Sequence, residues 1–119
     1  MFSPKQHEKY KRTRYTRELE RFLNRLVNRI SNDETLEKEA FGEFVDRIFK
    51  PLEGIEKVLL NSNYLKALEQ FVEKSANLPQ SDMDMEEIRK EILHGANQLQ
   101  KIKRLQNRQG RKHKGRYDD

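Results

Sequence analysis

The chain has 119 residues, enough for one domain around one core, and 38% of them are charged, well above the usual quarter. It has no cysteine, which excludes disulfides and thiolate metal sites, and no apolar run near the roughly 18 residues of a membrane span. The first residues carry cations without an apolar stretch, which argues against a secretory signal and leaves an organelle transit peptide open. We therefore predict a cytoplasmic protein.

The net charge of +5 conceals an uneven distribution along the chain. Residues 1–17 contain six cations and one acid, for a net charge of +5, and residues 101–119 contain eight cations and two acids, for +6. The central residues 18–100 contain 11 cations and 17 acids, for −6. Two basic ends around an acidic body favour a polyanionic partner.

The first helix is predicted over about residues 13–30. Its apolar residues recur at steps of three and four, which places them on one helix face. They are Tyr15, Leu19, Phe22, Leu23, Leu26, Val27 and Ile30. The sequence Ser31-Asn32-Asp33-Glu34 predicts a short link and a capping box, in which Ser31 and Glu34 satisfy backbone N–H groups at the start of the next helix.

The second helix contains Pro51 within its apolar pattern. Proline inside a helix removes a backbone hydrogen bond, so the helix should be kinked or split there. We expect a kink, because Ile55, Val58 and Leu59 continue the apolar face, whereas Lys50 is a poor N-cap for a new helix. A split would reverse the chain and send the two basic ends to opposite poles, whereas four antiparallel helices place both ends at one pole.

A short third helix is predicted between the break at Asn61-Ser62-Asn63 and Pro79. The fourth helix should begin near Asp84, whose side chain can cap it together with Glu87. It should fray between about Leu105 and Gly110.

The apolar residues of the fourth helix alternate steps of three and four, which is the spacing of a coiled-coil seam. The seam consists of Met85, Ile88, Ile92, Gly95, Leu99 and Ile102. We interpret it as a candidate oligomer interface, because a glycine within a seam permits close approach of a second helix.

Together these elements predict an all-α fold, a small antiparallel bundle of four helices with basic, flexible arms at both ends. The predicted division is a basic N-terminal arm at residues 1–12, the bundle at 13–107 and a basic C-terminal tail at 108–119. Gly110 and Gly115 should keep the tail flexible, and its cations should keep it solvated.

The sequence contains no arrangement of residues typical of catalysis or metal binding. His7, His94 and His113 lie far apart, and no glycine-rich phosphate loop or His-Glu-x-x-His motif is present. Asp82 and Asp84 resemble the start of a calcium loop, but the glycine that such a loop requires is missing. We therefore predict a protein with no enzymatic activity, cofactor, metal ion or small-molecule substrate.

The basic residues predict a surface that binds the phosphates of RNA or DNA. Arginine presents a planar fork of donors that matches phosphate, and on the first helix arginines recur at steps of four and seven. The candidate binding residues are Lys11, Arg12, Arg14, Arg21, Arg25, Arg29, Lys101, Arg104, Arg108, Arg111, Lys112, Lys114 and Arg116. Tyr10, Tyr15 and Tyr117 could stack on bases, although Tyr15 also fits the core pattern.

Two simpler interpretations stay open for these cations. An ordinary solvated face explains the arginines of the first helix equally well, and the helix dipole accounts for cations near the end of the fourth helix. The alternative function is a helical protein-interaction or scaffold module, as a homodimer or part of a larger complex, whose basic tails dock an acidic partner. Basic tails can also serve solubility or attraction to a membrane surface, but we predict no membrane partner.

Overall fold

The computed structural model describes the backbone of residues 4–118 and the side chains of residues 9–107. It contains four helices, α1 (Pro4–Asn32), α2 (Lys38–Glu53), α3 (Asn63–Asn77) and α4 (Met85–Asp118), with a short 3-10 helix at Leu78–Gln80 before α4. The predicted all-α bundle of four helices is confirmed. None of the helices described is both long enough and apolar enough to cross a membrane.

The core lies where the apolar stripes of all four helices meet. Leu26 of α1, Phe41 of α2, Leu68 of α3 and Ile88 of α4 each have 0% of their surface exposed. Burial of a side chain of this size stabilises a fold by about 1.5–3 kcal/mol relative to leaving it exposed. The helical periods read from the sequence therefore identify the faces that the bundle buries.

Consecutive helices in this bundle run antiparallel. Along α1 and α2, Phe22 contacts Phe49 edge-on, with ring centroids 5.9 Å apart, and the Arg29 guanidinium lies 5.4 Å from the centroid of the Phe44 ring. Later residues of α1 thus meet earlier residues of α2. The pairs Tyr64–Gln106 and Lys74–Glu91 establish the same relation between α3 and α4.

The first and last helices are also antiparallel and are joined at two places. Lys103 of α4 lies 3.7 Å from the Glu20 carboxylate of α1. Farther along α1, the Arg89 side chain donates hydrogen bonds to the backbone carbonyls of Ile30 and Asp33. The start of α1 and the end of α4 therefore extend from the same end of the bundle, as expected for four antiparallel helices.

The second helix ends soon after its proline instead of continuing past it. Pro51 lies in the last turn of α2, Gly54 occupies the C-cap, and residues 54–62 are not helical. The missing proline N–H removes one helical hydrogen bond, and the chain then leaves the helix. Leu60 is buried whereas Leu59 is 84% exposed, so the predicted helical face beyond Pro51 is not formed.

The link between α1 and α2 also differs from the predicted capping box. Ser31 belongs to α1, and the residue preceding α2 is Glu37, whose side chain makes no capping hydrogen bond. Asp33 instead closes the turn, since its carboxylate accepts hydrogen bonds from the Thr35 backbone N–H and hydroxyl at 3.3 and 2.9 Å. At the start of α4 the predicted cap by Asp84 is found, because its carboxylate accepts from the backbone N–H of Glu87 at 2.8 Å.

Both terminal helices are longer than the sequence analysis predicts. Their backbone is helical from Pro4 and as far as Asp118, with no fraying before Gly110. Proline is favourable in the first turn of a helix, and lysine, arginine and glutamine, which are frequent at both ends, are good helix formers. The side chains of residues 4–8 and 108–118 lie outside the described part of the structure.

The seam predicted as an oligomer interface is filled by the chain's own helices. Its residues are buried or half-buried within the bundle, namely Met85, Ile88, Ile92, Gly95, Leu99 and Ile102. Alternating steps of three and four suit the inside of a helical bundle as well as a contact between copies. Gly95 does permit a close approach, but the approaching group is the ring of Phe71 on α3.

Gly95 provides a test of this close packing. A Cβ at position 95 would lie 2.7 Å from the Phe71 ring, so Gly95→Ala forces the ring to move. We expect the free energy of unfolding to fall by about 1 kcal/mol, since overpacking costs about 1–3 kcal/mol and helix propensity returns about 1. Urea unfolding measures the difference.

Gly54→Ala is the matched control, because a Cβ there meets nothing within 4 Å. We expect this variant to be as stable as the natural chain or slightly more stable. The double variant Gly95→Ala/Phe71→Leu should recover part of the loss. Equal stability of Gly95→Ala and Gly54→Ala would contradict the close contact.

Tyr15 joins α1 to α3 through a short hydrogen bond from within the core. Its side chain is 3% exposed, and its hydroxyl donates to the Glu69 carboxylate at 2.5 Å. Burial, together with the hydrogen bond and the negative charge of Glu69, raises the pKa of Tyr15 above its ordinary value. Burial and Glu20 likewise raise the pKa of Tyr64.

These shifts predict a loss of stability at alkaline pH. Above about pH 10 the unfolded chain releases its tyrosine protons while folded Tyr15 and Tyr64 retain theirs, so the free energy of unfolding falls as pH rises. Urea unfolding between about pH 9 and 11 should give a shallower decline for Tyr15→Phe, and a shallower one still for Tyr15→Phe/Tyr64→Phe. If the free energy of unfolding declines with pH as steeply in both variants as in the natural chain, folded Tyr15 and Tyr64 do not retain their protons.

Candidate functional site

The outward face of α1 consists largely of arginine because the opposite face is buried. Leu19, Phe22 and Leu26 are at most 2% exposed, and the helical period directs residues on the far side of α1 into solvent. The exposed arginines of that face are Arg14, Arg17, Arg21 and Arg25. At 1.5 Å per residue they extend over about 16 Å of the helix axis.

An open groove of about 720 Å³ runs along this face. It is lined by four arginines together with amide, hydroxyl and apolar groups, and by a single acid. The lining residues are Arg12, Thr13, Thr16, Arg17, Glu20, Arg21, Asn24, Arg25, Asn28 and Leu65. Guanidinium and amide groups side by side can donate many hydrogen bonds to an anionic ligand.

Cations of α4 adjoin one side of this groove. A second cavity of about 370 Å³ shares Glu20 and Asn24 with it and includes Lys103 and Arg104. Lys103 pairs with Glu20 and lies 5.3 Å from the centroid of the Tyr64 ring, and the Tyr64 hydroxyl donates to Glu20 at 3.4 Å. These contacts hold the α4 cations beside the arginines of α1.

An arginine of α2 adjoins the other side. A third cavity, of about 450 Å³, lies between α1 and α2 and brings Arg25 and Arg29 together with Arg47. Among the ion pairs of residues 9–107, none involves Arg25 or Arg47. The basic surface therefore spans three helices, with α1 in the middle.

Some of the predicted binding residues already pair with acids. Lys11 lies 2.9 Å from Glu56, Arg21 lies 3.3 Å from Glu18, and the Arg29 guanidinium lies 3.5 Å from Asp33. Such solvent-exposed pairs contribute only about 0–1 kcal/mol, so an incoming phosphate can compete for the cation. No ion pair among the described side chains involves Arg14, Arg25, Lys101 or Arg104.

The remaining predicted residues divide into two groups. Arg12 is half-buried, and its Nε is buried without a hydrogen-bond partner among the described residues, so it is less accessible than its neighbours. The tail candidates Arg108, Arg111, Lys112, Lys114 and Arg116 lie outside the described side chains. Tyr15 belongs to the core, whereas Tyr10 is 64% exposed.

Three basic residues of this surface are absent from the sequence-based set. Arg17 follows Arg14 by three residues and precedes Arg21 by four, so the helical period alone could have placed Arg17 on the outward face. Arg47 and Lys103 belong to other helices. Only the packing of α2 and α4 beside α1 reveals that these two residues adjoin the groove.

Comparison with protein-family models, curated proteins and solved structures finds no match to this chain. Within residues 9–107, no group of three histidine, aspartate or glutamate side chains could hold a metal ion. His94 is exposed on α4. Among the described residues, the basic surface is the feature that bears on function.

Glu20 offers a test of the groove's electrostatics. It is the acid between the arginines of α1 and Lys103, so Glu20→Gln should free Lys103 and raise the local positive potential. We expect the variant to elute from a phosphate-bearing cation-exchange matrix at higher salt than the natural chain. The effect should weaken as salt is raised, because exposed charges are screened.

Glu39→Gln is the matched control, since it removes the same charge from an exposed residue of α2 outside these cavities. It should shift elution less than Glu20→Gln. Equal shifts would mean that retention depends on net charge and not on this groove.

Proposed function

We propose that this protein binds nucleic acid, RNA or DNA, by holding its phosphate backbone along the outward face of α1. The observation that supports the proposal is a continuous exposed face on which Arg14, Arg17 and Arg25 have no acidic partner among the described side chains. The proposed function requires no catalytic group. In it, the folded bundle holds the arginines of α1 in fixed positions.

Arginine at these positions suits a repeating anion. Residues four apart on a helix are separated by about 6 Å along its axis, so successive guanidinium groups can reach successive phosphates of an extended strand. Each guanidinium can donate two parallel hydrogen bonds to one phosphate. Contacts of this kind position a backbone without reading its sequence.

The open shape of the groove also favours a polymer. Small-molecule sites usually enclose most of their ligand, whereas this groove follows the surface of α1 and continues toward Arg104 on one side and Arg47 on the other. A polymer can exploit such a surface, because each phosphate that it neutralises releases counterions and adds to affinity.

Removing three unpaired arginines tests the proposal. We expect Arg14→Gln/Arg17→Gln/Arg25→Gln to weaken binding of RNA and DNA oligonucleotides in fluorescence anisotropy titrations at several salt concentrations. If each arginine neutralises one phosphate, the slope of log K against log salt should shrink by about 2 for single strands and about 3 for duplex DNA.

The control removes the same charge from α3, α4 and the segment after α2. Lys57, Lys74 and Lys90 each pair with a glutamate, so Lys57→Gln/Lys74→Gln/Lys90→Gln should leave most of the binding intact. The proposal fails if the natural chain binds no oligonucleotide at low salt, or if both triple variants lose affinity equally. Binding of an acidic protein by these arginines without any nucleic-acid binding would support the interaction-module alternative.

A further inference from the structure

The cavity between α1 and α2 combines three arginines from two helices with a phenylalanine ring. We call it the α1–α2 pocket, and its lining residues are Arg25, Asn28, Arg29, Asn32, Phe44, Arg47 and Ile48. It is an open depression of about 450 Å³ with a partly apolar lining. A surface that only follows a phosphate backbone does not need an aromatic ring in its lining.

Three arginines from two helices line this pocket. Arg25 and Arg29 are one turn apart on α1, and Arg47 lies across from them on α2. Like charges brought together repel, and no acid pairs with Arg25 or Arg47 among the described side chains. An anion bound among the three would relieve this repulsion, and a phosphate offers acceptor oxygens to each guanidinium.

The pocket also offers a preformed surface for stacking. Phe44 is half-buried and packs against the core, so its ring is held in place. The Arg29 guanidinium lies 5.4 Å from the centroid of that ring and also pairs with the Asp33 carboxylate at 3.5 Å. Nucleic-acid bases stack on aromatic rings and on guanidinium planes in proteins that bind single strands.

Two amides complete the arrangement. Asn28 and Asn32 are exposed and one turn apart on α1. A side-chain amide can both donate and accept a hydrogen bond, as the edge of an unpaired base requires. In a duplex the base edges are paired and the base faces are stacked, so a base inside a duplex cannot enter this pocket.

We infer that the α1–α2 pocket holds one phosphate together with the unpaired base next to it, and that the basic face therefore prefers single-stranded to double-stranded nucleic acid. The inference rests on the proposed function and specifies the form of its ligand. The phosphate is held by Arg25, Arg29 and Arg47, and the base lies on the pair that the Arg29 guanidinium forms with the Phe44 ring beneath it.

Anisotropy titrations with labelled single strands and duplexes of about 12 nucleotides, within the site sizes of single-strand binders, test the inference, in RNA and DNA forms. We expect Phe44→Leu to weaken single-strand binding at least about fivefold and to leave duplex binding unchanged. Arg47→Gln should lower the single-strand salt slope by about 0.7, the value for one phosphate. An abasic strand should bind the natural protein more weakly than a normal strand and should be insensitive to Phe44→Leu.

Phe49→Leu is the matched control, because Phe49 is also a half-buried ring of α2 but does not line the pocket. Thermal unfolding of each variant shows whether the fold is kept, and the Arg47→Gln and abasic-strand titrations do not depend on a change in the core. The inference is overturned if single strands and duplexes bind equally, or if Phe44→Leu weakens normal and abasic strands alike. Absence of all oligonucleotide binding by the natural chain would instead remove the proposed function.

Discussion

Burial of the apolar stripe of α1 determines where every arginine of that helix lies. α1 contacts each of the other three helices, and these cover its leucine and phenylalanine side. The uncovered side is the one on which Arg14, Arg21 and Arg25 recur. Because a helix transmits its orientation rigidly over many turns, residues far apart in sequence stay on one face. The basic face is thus a consequence of how the core is packed.

The contacts between α1 and α4 fix the direction in which these two helices run relative to each other. Arg89 donates to carbonyl groups at the C-terminal end of α1, where the helix dipole favours a cation. Near the middle of α1, Glu20 binds Lys103 and accepts from the Tyr64 hydroxyl, which joins three helices at one carboxylate. With two such points of attachment the helices must run antiparallel, and their basic ends leave the bundle on the same side.

The sequence predicts local features of this fold better than relations between distant segments. The stripe of α1 and the capping residue Asp84 depend on local periods and local hydrogen bonds, and both are found as predicted. The sequence does not predict the end of α2, because Ile55 and Val58 fit a helical period and nothing local shows that Leu59 faces solvent. A periodic pattern indicates a buried face only if the segment is helical.

The sequence likewise does not reveal which helices pack against each other in the core. The α4 seam and its glycine correctly indicate a close helix–helix approach, but the spacing is the same whether the other helix belongs to this chain or to a second copy. The ring that approaches Gly95 belongs to Phe71, on the preceding helix. The same holds for Arg47 in the candidate site. Its place beside Arg25 depends on how α2 packs against α1, and no spacing within α2 reveals that packing.

Acids are plentiful in the body of the protein, yet several arginines on the outward face of α1 have no acidic partner among the described side chains. Residues 18–100 contain 17 acids and 11 cations, so acids outnumber cations in the body of the protein. Glu73, Glu86 and Glu91 pair with lysines on α3, α4 and the segment after α2. Arg14 and Arg25 have no such partner among the described side chains, because Glu18, one turn from Arg14, pairs with Arg21 and no acid lies one turn from Arg25. Unpaired arginines that repel one another gain stability when an anion binds, and the folded chain presents them along one line. This is the physical reason to look for a ligand whose charges repeat along a line as well.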